Sequence, residues 1–298
     1  MAKTLIGIVS YGGLPFLRIL LDQIRATATL PVDVLVIVAK HGDEEMKEDL
    51  RQRGITFIEH QKNFGFPASV NDLYDAAFKS DYDLLIVCGN DTVPMPGCID
   101  AMIRCAESTD WETVSATEFD SRSLVATYPE AEKYFKGQNY RFTDFTSKPW
   151  ELHKHEATGI QPDCFKDVRN MTLYKRSVFE KTGYADANFW PNGYFEDNDI
   201  VHRCVRSGIK SAGLLDASFF HFWSRTIHQG ESRPNNVYFE RNRAHYILKW
   251  GGEPYQEKYE LPFRGDTYQL APNIFLKGNM KIDSRENEKA IVNYWSRK

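Results

Sequence analysis

The chain predicts an α/β fold, with a mostly parallel central sheet carrying helices on both faces. Three observations carry this. Apolar runs at 5–9, 34–38, 55–58 and 84–87 have the length of buried strands. Between the first two runs, Leu17, Leu20, Leu21 and Ile24 recur at the three- and four-residue spacing of a helix with one buried face. The 298 residues, 42% of them hydrophobic, suffice for one large domain with additions or for two small ones.

The first run ends in Ser10-Tyr11-Gly12-Gly13, a strand followed by a turn. A charged segment, 43–53, separates the second and third runs. A further helix then places Val70, Leu73, Tyr74, Ala77 and Phe78 on one face. In such sheets ligands sit at the carboxyl ends of the strands, so polar residues just past those ends are the ones to search. The second half is less regular. Residues 119–165, which include Trp150, His153 and His155, are too long for a structureless loop and read as functional or ordered by a ligand. Residues 170–183 read as a strand and short helix, and 197–207 as a helix with Ile200, Val201 and Cys204 inward. A last helix over 235–250 is stopped by Gly251-Gly252. The polar tail beyond it has no readable role.

The net charge of −4 provides no broad basic field for nucleic acid or anionic lipid, so a polyanionic partner is disfavoured. Aromatic residues, at 13%, are numerous enough to line pockets as well as core. Cys88, Cys98, Cys105, Cys164 and Cys204 are odd in number and lack C-x-x-C spacing, which predicts a reduced, cytoplasmic setting. The chain enters a strand pattern at once, without a signal peptide, and no apolar run approaches the roughly 20 residues of a membrane helix. A soluble protein is expected.

Four segments can carry chemistry. In VCGNDTVPMPG (87–97), Asn90 and Asp91 follow a buried strand; they make a turn and helix cap, or Asp91 holds a divalent cation by oxygen. In NGYFEDNDIVHRCVRSG (192–208), Glu196, Asp197 and Asp199 crowd the first turn of a helix. The macrodipole explains acids there, but three exceed what capping needs, and Trp190, Tyr194 and Phe195 beside them suggest a partly dry site. A carboxylate so placed can take a proton from an attacking hydroxyl. In FFHFWSRTIHQG (219–230), His221 and His228 lack any zinc-motif spacing, leaving a structural histidine or a metal ligand as readings. In KNFGFPASVND (62–72), Asn63 and Gly65 precede a helix bearing Asn71. They form a plain turn, or a place where backbone N–H groups hold an anion and amides read a base or ribose.

The order of these pieces resembles the family 2 glycosyltransferases of GT-A fold, over roughly residues 4 to 226: Ser10-Tyr11, Asn63-x-Gly65 with Asn71, Asn90-Asp91, Phe195-Glu196-Asp197 with Arg203, then His221 with Thr226. The ending Tyr246-Ile247-Leu248-Lys249-Trp250-Gly251 is similar to bacterial and phage members. The resemblance implies a Rossmann-like catalytic domain over 1–230, with 1–118 binding the nucleotide sugar and 119–230 the acceptor, and a C-terminal helix and extension over 231–298. It implies a UDP-, dTDP- or GDP-linked donor, Mg²⁺ or Mn²⁺, and inversion at the anomeric carbon. Residue by residue, Asp91 matches the metal-binding aspartate of D-x-D, His221 the later histidine that completes the metal site, and Asp197 the catalytic base, with Glu196 and Asp199 beside it. Ser10, Tyr11, Asn63, Gly65, Asn71, Asn90 and Asp91 fall where the family lines its nucleotide pocket; Trp190 and Tyr194 fall where acceptors stack.

Two departures stand out. Gly89 replaces the first acid or Asn of D-x-D, and Ala39-Lys40-His41-Gly42-Asp43 replaces an Asp-Asn-Ser type turn, leaving Lys40 or Asp43 as base contacts. By family analogy the acceptor is a polysaccharide or lipid-linked glycan. Modified DNA bases are an alternative acceptor, and a non-catalytic nucleotide-sugar-binding protein an alternative function. A glycosidase needs two acids flanking a bond, whereas Glu196 and Asp197 are adjacent on a helix and face different ways. A sugar nucleotidyltransferase needs a Gly-rich loop with Arg and Lys after strand one, which is absent here. The central expectation is that the acids near 91 and near 197 converge at one edge of the sheet.

Overall fold

The computed structural model describes residues 2–120, 159–162, 170–189, 194–222 and 236–265. The predicted alternation appears as β1 (Thr4–Ser10), α1 (Leu14–Thr27), β2 (Val32–Val38), α2 (Glu44–Gln52), β3 (Thr56–Glu59), α3 (Phe66–Lys79) and β4 (Leu84–Gly89). Side chains alternate across a strand, and here the alternation sorts the core into two layers. Ile6, Ile8, Val36, Val38, Ile86 and Cys88 pack under α1 and α2, while Leu5, Val9, Leu35, Ile37, Leu85 and Val87 pack under α3. Helices on both faces follow directly. Gly7 shows how close one layer lies, since a Cβ there would come within 2.7 Å of Leu73.

The second half adds β5 (Thr92–Pro94), α4 (Cys98–Ser108), β6 (Thr113–Asp120), β7 (Ile160–Pro162), β8 (Met171–Lys175), α5 (Arg176–Thr182), α6 (Glu196–Arg206), β9 (Ser211–His221) and α7 (Asn236–Trp250), with a 3-10 turn at Pro262–Gly265. Among the described residues the strands form one sheet, ordered β3-β2-β1-β4-β8-β6-β9-β5, with β7 also on β9. The long β1·β2, β1·β4 and β6·β9 ladders are parallel. β8 is antiparallel to both β4 and β6, and joins the two parallel parts. The α/β fold with a mostly parallel sheet is as expected.

Two local expectations need correction. Residues 92–94 are not simply loop, because they pair antiparallel with β9 and set Thr92 opposite His221. The inward face of α6 is Glu196, Asp199, Arg203 and Cys204; Ile200 and Val201 are only half-buried. Periodicity misses this because the buried polar groups have partners elsewhere in the chain, Asp199 on α7 and Arg203 on the Thr182 and Tyr184 carbonyls.

That partnership is a buried ionic network. Lys249, with no exposed surface, places its Nζ 2.9 Å from Asp186 and 2.5 Å from Asp199. The Trp250 indole donates to Asp199 at 2.8 Å, and Arg203 Nε to the same carboxylate at 3.0 Å. His245 joins Asp186 at 3.0 Å. Buried charges persist only when paired in this way. The described part of α7 is thereby tied to α6 and to the 185–189 segment before it. The α7 helix ends as expected, with Gly251 in the left-handed region (φ 77) and its N–H on Ile247 at 2.7 Å.

Cys88, Cys98, Cys105 and Cys204 are buried and unpaired, and burial pushes the Cys88 thiol up to about 12. Cys164 lies outside the described residues. No described helix is long and apolar enough to cross a membrane.

Candidate active site

The carboxyl end of β1 carries the first group. Asn90 donates to Ser10 Oγ at 2.8 Å and to the Gly12 carbonyl at 2.7 Å, and Ser10 Oγ in turn donates to Gly12. Ser10 and Asn90 are buried. Their polar atoms brace the Gly12-Gly13 turn, where both glycines have positive φ. Ser10 and Asn90 therefore shape the end of β1 through the backbone of this turn. Tyr11 is half-buried at the tip of the turn.

Asn63 accepts the Gly65 N–H at 2.8 Å, an Asx turn that leads into α3. Gly65 is the N-cap, at φ 84. The Asn71 amide grips the Ala185 backbone from both sides, donating to its carbonyl at 2.9 Å and accepting its N–H at 2.8 Å. Its amide thereby holds the 185–189 segment against α3. Past β2, Asp43 caps α2 by accepting the Met46 N–H at 3.2 Å. The Lys40 side chain lies along Gly12, its Cδ 3.8 Å from where a Cβ there would sit.

The second group forms where β4, β6 and β9 end. Asp91 Oδ1 lies 3.5 Å from His221 Nε2, and His221 Nδ1 lies 2.7 Å from Glu118. Asn170 donates to Glu118 at 2.9 Å and sits 3.2 Å from His221 Nδ1. A bulge in β9 sets this register. The partner of β6 jumps from Leu214 opposite Ala116 to Ser218 opposite Thr117, which brings Asp120 opposite His221. Thr117 Oγ1 closes the bulge on the Leu214 carbonyl at 2.7 Å. Burial alone lowers the His221 pKa, but Asp91 and Glu118 override it and push it up to about 10. Glu118 and Asn170 have no counterpart in the motifs. Glu118 sits in a strand the sequence did not reveal, and Asn170 directly precedes β8, at the start of the predicted 170–183 strand.

Gly89 now has a reason. A Cβ there would stand 3.0 Å from Asp91 Oδ1, so glycine lets the carboxylate fold back toward the strand end. The donor set fits a divalent cation in part. One carboxylate and one imidazole, the latter held on its far nitrogen by a carboxylate, match how metal-bound histidines are oriented. Among the described residues no three or more carboxylate, imidazole or thiol side chains are arranged to hold a metal ion by themselves. A site of this kind relies on substrate phosphates and water for its remaining ligands, as Mg²⁺ and Mn²⁺ commonly do.

The third group opens α6. Phe195, the N-cap, and Tyr194 both hold positive φ, 69° and 137°, a rare state for bulky residues that concentrates at functional sites. Glu196 is buried and accepts the Tyr194 N–H; burial, then Asp197, holds its carboxyl well above the usual range. Asp197 is half-buried and accepts the Asn198 N–H at 2.7 Å; burial raises it too, against that hydrogen bond. Asp199 is fully buried in the α7 network and has no role open to it as a base. Tyr194 is half-buried, edge-on to Phe239 at 5.3 Å. Trp190, Trp150, His153, His155, Thr226 and His228 lie outside the described residues.

No protein-family model and no curated protein matches the chain. Solved structures do. The mannosyltransferase PcManGT from Pyrobaculum calidifontis, in complex with GDP-Man and Mn²⁺, superposes with a TM-score of 0.52 at 13% identity, over 83% of this chain and 62% of that one. GalNAc-T7 with UDP, GalNAc and Mn²⁺ gives 0.56 at 11%, over 84% and 49%. S. aureus TarS 1-349 gives 0.53 at 8%, over 97% and 79%. The chain thus spans less than two thirds of the first two. At such identities the likeness establishes the fold, which is the GT-A fold of these glycosyltransferases.

Proposed function

We propose that the chain is an inverting, family 2-type glycosyltransferase that moves a sugar from a nucleoside-diphosphate sugar to an acceptor hydroxyl. The observation that carries this is the Asp91–His221–Glu118 line at the ends of β4, β6 and β9. Two neighbours of the same fold were solved with Mn²⁺ and a nucleotide or nucleotide sugar, which supports the same ligands here. A UDP-, dTDP- or GDP-linked donor and either Mg²⁺ or Mn²⁺ suit the site.

Convergence of the Asp91 and Asp197 groups is part of the proposal. Its support is the Asn71 bridge to Ala185, which brings the approach to α6 next to the start of α3, beyond the carboxyl end of β3. A divalent cation at Asp91 and His221 would neutralise charge on the departing diphosphate. Asp197 accepts the acceptor's proton as its oxygen bonds to the anomeric carbon; the bond from that carbon to the diphosphate breaks, and its electron pair leaves with the phosphate oxygen. Asp197 fits this task better than Glu196, whose carboxylate already fastens the Tyr194 backbone. The braced Ser10–Gly13 turn, Tyr11, the Asn63–Gly65 turn and Lys40 frame the donor, and Tyr194 the acceptor.

A glycan acceptor agrees with the net charge of −4 better than a DNA base does. The testing experiment is a thermal-shift screen of UDP-, dTDP- and GDP-sugars with Mn²⁺, followed by calorimetry and a donor-hydrolysis assay on any hit. Binding with turnover supports the transferase, and binding without turnover supports a nucleotide-sugar-binding protein.

A further inference from the structure

Outside these groups, a hollow of about 460 Å³ lies between the outer face of α6 and residues 254–260. Asn198, Val201, His202 and Val205 line one wall, at the spacing of a single helix stripe. That stripe begins at the residue after Asp197, so the hollow runs from the first turn of α6 outward.

Its chemistry is mixed in a particular way. Val205 and Tyr255 are two of the large apolar side chains the protein leaves exposed, at 53% and 65%, and both face this space. Tyr255 is held there in the left-handed region (φ 68) by its N–H on Glu257 Oε1 at 2.9 Å. Glu257 also accepts the Tyr246 hydroxyl. His202 is packed edge-on to Trp250 at 4.3 Å, and burial holds its pKa below the usual range. At the rim Arg206 pairs with Glu260 at 2.6 Å, and with Glu257 the lining carries two carboxylates and one guanidinium. An aromatic plane, an amide, an imidazole and carboxylate oxygens suit a ligand with apolar faces and many hydroxyl groups. The excess of acid disfavours a phosphorylated one.

We propose that this hollow is a sugar-binding subsite for a neutral glycan, the part of the acceptor that lies beyond the reacting hydroxyl. Its role as an acceptor subsite rests on the transferase reading; its binding of sugar does not. The test uses the full chain without donor or metal, and saturation-transfer NMR with cellobiose, lactose, maltose and N,N′-diacetylchitobiose, followed by titration. At least one disaccharide should bind. Tyr255→Ala should weaken it by about tenfold, the scale of losing one aromatic contact, and Asp91→Asn should leave it unchanged. The proposal is overturned if none of the four binds, if Tyr255→Ala and Glu257→Gln bind as well as the parent, or if glucose 6-phosphate competes better than glucose. Sugar binding in a chain that transfers nothing from any donor would sink the transferase reading and leave the subsite standing.

Discussion

Glu196 and Asp197 are adjacent, yet their carboxylates meet different surroundings. The first is buried against the Tyr194 backbone; the second is half-open and held by the Asn198 N–H. Asp197→Asn keeps the shape and removes the basicity, so kcat should fall by about 10²- to 10⁴-fold with donor affinity unchanged. Glu196→Gln should lower kcat less, by loosening the turn. Near-parental turnover in Asp197→Asn would show that another group is the base. The pH profile follows from the same surroundings. A base works ionised, and burial raises the Asp197 pKa, so the rate is lost as pH falls through that raised value. The acid limb of kcat, read at saturating donor and metal, should lie above the free aspartate value of about 3.9. A limb at or below that value contradicts the assignment. At this scale the motifs pointed to Asp91, Asp197 and His221, because each stands where an element ends. They did not reveal that Ser10, Asn71 and Asn90 serve the backbone, since an amide's partner 80 or 114 residues away leaves no local trace.

Among the elements, α7 is tied to α6 by charge. Lys249 sits between Asp186 and Asp199 with all three fully buried or nearly so. Burial alone would raise the Asp186 carboxyl, but Lys249 and His245 hold it well below the usual range. Lys249→Met leaves two buried carboxylates short of a partner and should cost about 3–5 kcal/mol. In urea this appears as a lower midpoint with the slope unchanged. A depressed carboxylate contributes stability above its unfolded pKa and loses it as pH falls through the folded one. In Lys249→Met the folded value rises, so acid unfolding should begin at higher pH. An unchanged midpoint and acid limb would mean the pair adds nothing net. The α1 to β4 succession was legible because its apolar positions keep strand and helix periods. The α6 face was not, because Asp199 and Arg203 read as solvent-facing until the lysine and tryptophan of α7 are placed beside Asp199, and the Thr182 and Tyr184 carbonyls beside Arg203. β5 and β9 escaped for another reason: short length, prolines and a bulge break the two-residue alternation that marks a strand.

At the scale of the whole molecule, the proposed reaction requires the sheet to deliver two remote groups to one cleft. Asp91 and His221 belong to strand ends, whereas Asp197 belongs to a helix, so the proposed meeting needs anchors such as the Asn71 bridge to Ala185 and the Arg203 hydrogen bonds to the Thr182 and Tyr184 carbonyls. Paramagnetic Mn²⁺ tests this without any acceptor. Bound at Asp91 and His221, it should broaden the amide signals of Tyr194, Glu196 and Asn198 strongly and those of Arg206, a helix length away, less, with Mg²⁺ as the diamagnetic control. A helix of 11 residues is about 16 Å long, enough to separate the two ends in such a measurement. Asp91→Asn should abolish the broadening at both ends. Asn71→Ala should leave metal binding intact but weaken the effect at 194–198, because the segment before α6 loses its anchor on α3. Sharp signals at 194–198 in the Mn²⁺-loaded parent would place the base and the cation on separate surfaces, and one displacement reaction could not use both.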